Sequence, residues 1–168
     1  MANTYTLIAS STVGVLGAAS IDFTSIPSTY TDLMLRISAR TTRVSYVDAI
    51  SLSLNGLATN QSSRYLAGNG VTVTTGTLSS FRTLATGVSA TANTFGNSEF
   101  YIPNYAGSNY KSASSDGVSE NNASDGEAWL VANLWSATAA INQLTITDLN
   151  SATFVQYTTA YLYGIKSS

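Results

Sequence analysis

The stretch Ile50-Ser51-Leu52-Ser53-Leu54-Asn55-Gly56 decides the fold. Side chains of a β-strand alternate between faces, so Ile50, Leu52 and Leu54 share one side while Ser51 and Ser53 share the other. Asn55-Gly56 stops the strand with a dipeptide that accepts the positive φ angles of a tight hairpin turn. Working outward, Asp32 to Arg40 repeats the pattern, with Leu33, Leu35, Ile37 and Ala39 against Met34, Arg36, Ser38 and Arg40. Ser20 to Thr24 places Ile21 and Phe23 opposite Asp22, and Pro27 then interrupts the ladder because it lacks an amide donor. Tyr5 to Ser10 alternates weakly, and Val13 to Leu16 reads as its continuation beyond a turn. Glu99 to Ile102 turns Phe100 and Ile102 inward and ends at Pro103. Leu144 and Ile146 alternate with Thr145 and Thr147.

The remaining segments are less regular. Arg64-Tyr65-Leu66 reads as a short strand that stops at Gly68-Asn69-Gly70. Val71 to Thr75 is a second strand, and Ser80 to Leu84 is expected to pair with it. Residues 87–97 read as a loop or a ragged sheet edge. The polar region 106–127 holds one strand near Lys111 to Ser115 and then a loop through Asn121-Asn122. Ala128 to Leu134 is apolar on both sides, as in a strand buried on two faces. Trp135 to Ile141 fits one short turn of helix. Phe154 to Ile165 is the longest expected strand, with Tyr157, Tyr161 and Tyr163 on one face, packed in the core or between subunits. The sum is about eight to ten antiparallel strands at roughly 8–12-residue spacing. It predicts an all-β chain forming a single-domain β-sandwich of the jelly-roll type over residues 1–168, with long connections making Greek-key crossings.

Composition narrows the chemistry. The chain has 168 residues, no histidine and no cysteine, and only 10% of it is charged, against roughly 25% in an average domain. Serine and threonine fill that gap, the first suited to turns and the second to strands. Ser-His-Asp catalysis, thiol nucleophiles and zinc sites built on nitrogen or sulfur ligands are therefore excluded. The net charge is −2 and the seven Arg and Lys residues are scattered, so no phosphate-tracking stripe exists and nucleic acid is not an expected partner. No apolar run approaches the length of a membrane span, and the N-terminus lacks the regions of a signal peptide. Two N-glycosylation sequons, at Asn60 and Asn122, have the frequency expected by chance in a Ser/Thr-rich chain.

Three constellations remain. Asp116, Glu120, Asp125 and Glu127 offer hard oxygens for calcium but lack the spacing of a known loop, so a solvated surface is the preferred reading and no metal or other cofactor is expected. A hydrolytic carboxylate pair would have to come from Asp22, Asp32, Asp48 or Glu99, and nothing marks any two of them as paired; the chain is not expected to be an enzyme. Tyr101, Tyr105 and Tyr110, beside Asn104 and Asn109, present rings and amides that suit either a protein interface or the stacking of a sugar. Asp32 is placed to form ion pairs with Arg36 or Arg40.

Several stretches have family character: Ile26-Pro27-Ser28-Thr29-Tyr30-Thr31-Asp32-Leu33, Ser53-Leu54-Asn55-Gly56, Tyr101-Ile102-Pro103-Asn104-Tyr105-Ala106-Gly107, Lys111-Ser112, Phe154-Val155-Gln156-Tyr157 and Leu162-Tyr163-Gly164-Ile165. Together they resemble small β-rich virion proteins of tailed bacteriophages, over most of the chain. The resemblance implies a trimeric jelly-roll protein on the capsid exterior, decorating or cementing the head. Its expected partners are the major capsid protein or neighbouring virion proteins. Residues 1–11, including Ala2, Asn3, Thr4 and Tyr5, are the candidate assembly contact. The alternative is a tail- or fibre-associated module that binds a host surface glycan through Tyr101, Tyr105 and Tyr110.

Overall fold

The computed structural model describes residues 4–121 and 125–166. It is an all-β sandwich of twelve strands: β1 (Tyr5–Thr12), β2 (Ser20–Phe23), β3 (Asp32–Ala39), β4 (Val47–Leu54), β5 (Gln61–Gly68), β6 (Val73–Leu78), β7 (Phe81–Thr86), β8 (Gly96–Pro103), β9 (Lys111–Glu120), β10 (Gly126–Trp135), β11 (Leu144–Asp148) and β12 (Thr159–Ile165). They form an eight-stranded sheet in the order β1-β12-β3-β8-β9-β10-β5-β6 and a four-stranded sheet in the order β2-β11-β4-β7. Every strand pair in these sheets is antiparallel. Eight against four is unlike the four-against-four arrangement of a simple jelly roll, and the strand count exceeds the expected eight to ten.

The core sits between the small sheet and the β12-β3-β8 part of the large one. Leu33, Leu35 and Ile37 of β3 meet Ile50, Leu52 and Leu54 of β4, with Phe81, Phe100, Phe154 and Tyr105 filling between them, all buried. Burial of this kind stabilises by roughly 25 cal/mol per Å² of apolar surface removed from water. Asn55 and Gly56 have φ of 53° and 71°, and Leu54 and Leu57 exchange hydrogen bonds of 3.1 and 3.0 Å across them. The tight turn expected there is present, and the chain then crosses to the large sheet. The Asn55 side chain also ties down the loop before β11, donating to the Ala140 carbonyl at 2.8 Å and accepting from the Asn142 amide at 2.8 Å.

Several expectations need correction. β7 does not pair with β6; it pairs with β4, because Phe81, Leu84 and Ala85 are core residues that draw it into the small sheet. Gln61 fastens this crossing, donating to the Leu52 carbonyl at 3.1 Å and accepting from the Phe81 amide at 2.9 Å. The strand expected from Phe154 is interrupted: Phe154 makes isolated bridges to Ala18 and Thr41, Tyr157 takes a φ of 71°, and the ladder starts only at Thr159. The buried face of β12 is Ala160, Leu162 and Gly164, so Tyr161 and Tyr163 point outward. Residues 136–143 form no helix. They are held as a loop by Lys111, whose buried ammonium donates to the Gly107 and Ala139 carbonyls, each at 2.7 Å, and lies 5.5 Å from the Trp135 ring centre. β10 is buried on one side only, through Val131, Asn133 and Trp135.

Candidate functional site

The outer face of the large sheet is the part of the molecule left without a layer above it, and its two halves differ in chemistry. On the β9-β10-β5-β6 half, Leu130 is 59% exposed, Leu66 48%, Val118 47% and Val73 72%. The register places Leu130 directly beside Leu66 and Ala128 beside Val118. With Gly68, Trp129 and Ala67, Leu66, Leu130, Ala128 and Val73 also line an open apolar groove of about 280 Å³. On the opposite face of these strands Trp129 stacks on Tyr65, ring centres 5.0 Å apart, and its indole N–H donates to Glu127 at 2.7 Å. Leu66 and Leu130 thus form an adjoining pair of exposed aliphatic side chains on this face.

The β1-β12-β3-β8 half is aromatic and polar. Tyr5 and Tyr163 meet edge to face, with centres 6.4 Å apart and planes at 78°. Together with Arg36 they line a groove of about 360 Å³. Arg36 faces Tyr161 on one neighbouring strand and Glu99 on the other, and its Nε lies 3.1 Å from Glu99 Oε2. Tyr101 borders the same face and donates its hydroxyl to Asp32 Oδ2 at 2.7 Å; that hydrogen bond, then burial, raises the phenol above its ordinary pKa.

The expected site residues are thus divided. Tyr5 and Tyr101 share this face. Tyr105 does not join them: it is fully buried, its hydroxyl donates to the Pro27 carbonyl, and burial raises its pKa. It therefore cannot stack on a sugar. Tyr110 is exposed in the turn before β9. Thr4 accepts a hydrogen bond from the Lys166 amide at 3.2 Å, while Ala2 and Asn3 lie outside the described residues. Tyr5 to Ser11 is an integral edge strand paired along β12, with Ile8 and Ala9 against the core, rather than a detachable arm. Asp32 pairs with neither arginine: it takes the Tyr101 hydroxyl and the Asn104 amide. Arg40 is buried and gathers the carbonyls of Val88, Ala90, Thr91 and Thr94, pinning the loop before β8. Of the acidic cluster, Asp116 faces out beside Glu99, Glu127 holds Trp129, and Asp125 bonds Asn121; among the described residues no three metal-ligating side chains converge.

One carboxylate pair does exist, between Asp48 and a partner the sequence leaves unmarked, Asp148. Asp48 is buried and accepts from Thr41 at 2.6 Å, Arg43 at 3.0 Å and Asn150 at 2.8 Å. Asp148 Oδ1 accepts the amides of Asn150 and Ala152, each at 2.7 Å, while its Oδ2 is buried with no donor reaching it. Burial, then the hydrogen bond to Asp48, pushes Asp148 up to about 6. Burial opposes the charge on Asp48, but the hydrogen bonds from Asp148, Thr41, Arg43 and Asn150 outweigh it and hold Asp48 below the usual range. Burial and the neighbouring carboxyl thus favour the protonated form of Asp148 and the charged form of Asp48 where the turn after β11 closes onto β4. It opens onto none of the grooves described above, and its geometry is that of a structural latch.

No protein-family model, no curated protein and no solved structure matches this chain.

Proposed function

We propose that this chain is a non-catalytic structural protein of a virion exterior, present in many copies as a homotrimer and seated against the capsid shell. The observation that carries the reading is the aliphatic half of the large sheet's outer face, where Leu66 and Leu130 lie exposed side by side. A second copy of the chain is the occupant that fits it, because the patch adjoins β6, a sheet edge with free backbone groups for a neighbour. The motif resemblance to small phage virion proteins supplies the setting. Strand order agrees with it once β1, β12 and two strands of the β8-β9-β10 meander are set aside. Four strands then face four, and the connections cross between sheets as in a jelly roll. A protein that binds only the assembled shell stabilises it by mass action, with no catalytic group required.

The test is the copy number of the chain in purified particles, by quantitative mass spectrometry against the major shell protein. A count equal to the shell protein or a simple fraction of it is expected. Absence from purified particles, or a handful of copies per particle, overturns the decorating role.

A further inference from the structure

We propose that the groove formed by Tyr5, Tyr163 and Arg36 is a binding site for a neutral oligosaccharide. This inference is independent of the assembly reading, since it concerns the other half of the sheet face.

A pyranose ring has a patch of C–H groups on its face and hydroxyls around its edge, each both donor and acceptor. The groove answers both. Tyr5 and Tyr163 stand nearly perpendicular, 78° apart, so a ring laid on one meets the edge of the other. Arg36 and Glu99, 3.1 Å apart, set guanidinium donors beside carboxylate acceptors, so neighbouring hydroxyls can be met by a donor and an acceptor together. Tyr161, across the strand pair from Arg36, is partly exposed and continues the aromatic surface beyond the first ring, which favours a chain of sugars over a single one.

The charge argues for neutrality. Arg36 is the groove's cation and Glu99 already answers it, leaving no uncompensated positive charge for a phosphate, sulfate or uronate. The aromatic part of the site is preformed: Tyr163 meets Tyr5 edge to face and sits on a strand inside the sheet, so its ring loses little freedom on binding. A groove of about 360 Å³ accommodates one or two sugar rings while the rest of the chain runs over the surface.

The test is saturation-transfer NMR on the full chain. The probes are short neutral oligosaccharides of glucose, galactose, mannose and N-acetylglucosamine, with oligogalacturonate and sialyllactose as acidic controls. At least one neutral oligosaccharide should bind. Tyr163→Ala and Arg36→Ala should each weaken it about tenfold. Tyr163→Phe, which keeps the ring, should retain most of the binding, and Leu130→Asp, on the other half of the face, should leave it unchanged. Thermal unfolding of each variant separates a lost contact from a lost fold. The proposal is overturned if no neutral probe binds, if binding survives both alanine substitutions, or if only the acidic probes bind and salt removes them.

Discussion

At the scale of single residues, the Asp48–Asp148 pair makes a pH-dependent contribution to stability whose sign follows from its geometry. Asp148 has a folded pKa of about 6, above its ordinary value, so the folded state holds a proton that the unfolded state releases. Its contribution is full below the ordinary carboxylate range and is lost as pH rises through about 6. Asp48 is shifted the other way, and its contribution is lost as pH falls through its depressed value. The pair is therefore most favourable when it holds one proton, in the window between the two. With no histidine in the chain, no side chain of that kind competes in the range. The thermal midpoint should fall between about pH 4 and pH 6, and level off above, as Asp148 ionises against Asp48. Asp148→Asn places a permanent donor where the proton was, and its carbonyl can still accept from Asn150 and Ala152. The fall should vanish in that variant, which should match the parent near the acid end and exceed it near neutrality. Parallel midpoint-versus-pH curves for the two proteins would show that Asp148 does not hold the proton.

At the scale of elements, β9 explains both what the sequence reveals and what it conceals. β3 and β4 are legible because their buried residues are aliphatic and recur at every second position. β9 also alternates, but its buried positions include Ser115, Gly117 and Ser119, which hydrophobic periodicity does not register. Its opposing surface is a backbone, the free edge of β7. Ser115 donates to the Arg82 carbonyl at 2.7 Å, Ser98 of β8 donates to the Leu84 carbonyl at 2.6 Å, and Thr83 donates to the Asp116 carbonyl at 2.8 Å. A Cβ on Gly117 would lie 2.4 Å from Thr83 Oγ1 and 2.8 Å from the Leu84 amide nitrogen. Gly117→Ala should therefore cost about 1–3 kcal/mol in denaturant unfolding, as overpacking does. Adding Thr83→Ala should not restore it, because the Leu84 backbone cannot be trimmed; full rescue would place the strain elsewhere. The binding face is partly legible for a related reason. Tyr5 and Tyr101 stand out as candidates by residue type, but their proximity to Tyr163 and Arg36 depends on the order β1-β12-β3-β8, which no local spacing encodes. Leu130 and Leu134 are visible as an apolar strand face, yet alternation alone cannot distinguish a face buried in the core from one exposed for a partner.

At the scale of the whole molecule, the four sheet edges identify where copies can meet. β1 carries a register shift between Leu7 and Ala9, which disrupts its ladder. β2 has only four residues, and β7 is covered by the hydroxyls of β8 and β9. β6 has none of these protections. Its sequence, Val73-Thr74-Thr75-Gly76-Thr77-Leu78, carries no charge and no proline, and its pairing with β5 runs without a shift. The exposed Val73 is its first residue, and the exposed Leu66 and Leu130 follow on β5 and β10, the next two strands. A closed trimer needs a heterologous contact, in which this patch meets a different surface on the next copy, whereas patch against identical patch gives a two-fold dimer. Light scattering after size exclusion should therefore give three times the chain mass, with dissociation on dilution. Leu66→Asp, which sets its charge between Leu130 and Thr75 and beside no other acid, should give a monomer whose unfolding free energy changes little, since an exposed substitution is typically within about 0.5 kcal/mol. High salt should leave the trimer intact, because apolar burial is not screened as charge pairs are. A parent protein that stays monomeric at high concentration would remove the assembly role from this face. A dimer would keep the face and replace three-fold symmetry with two-fold.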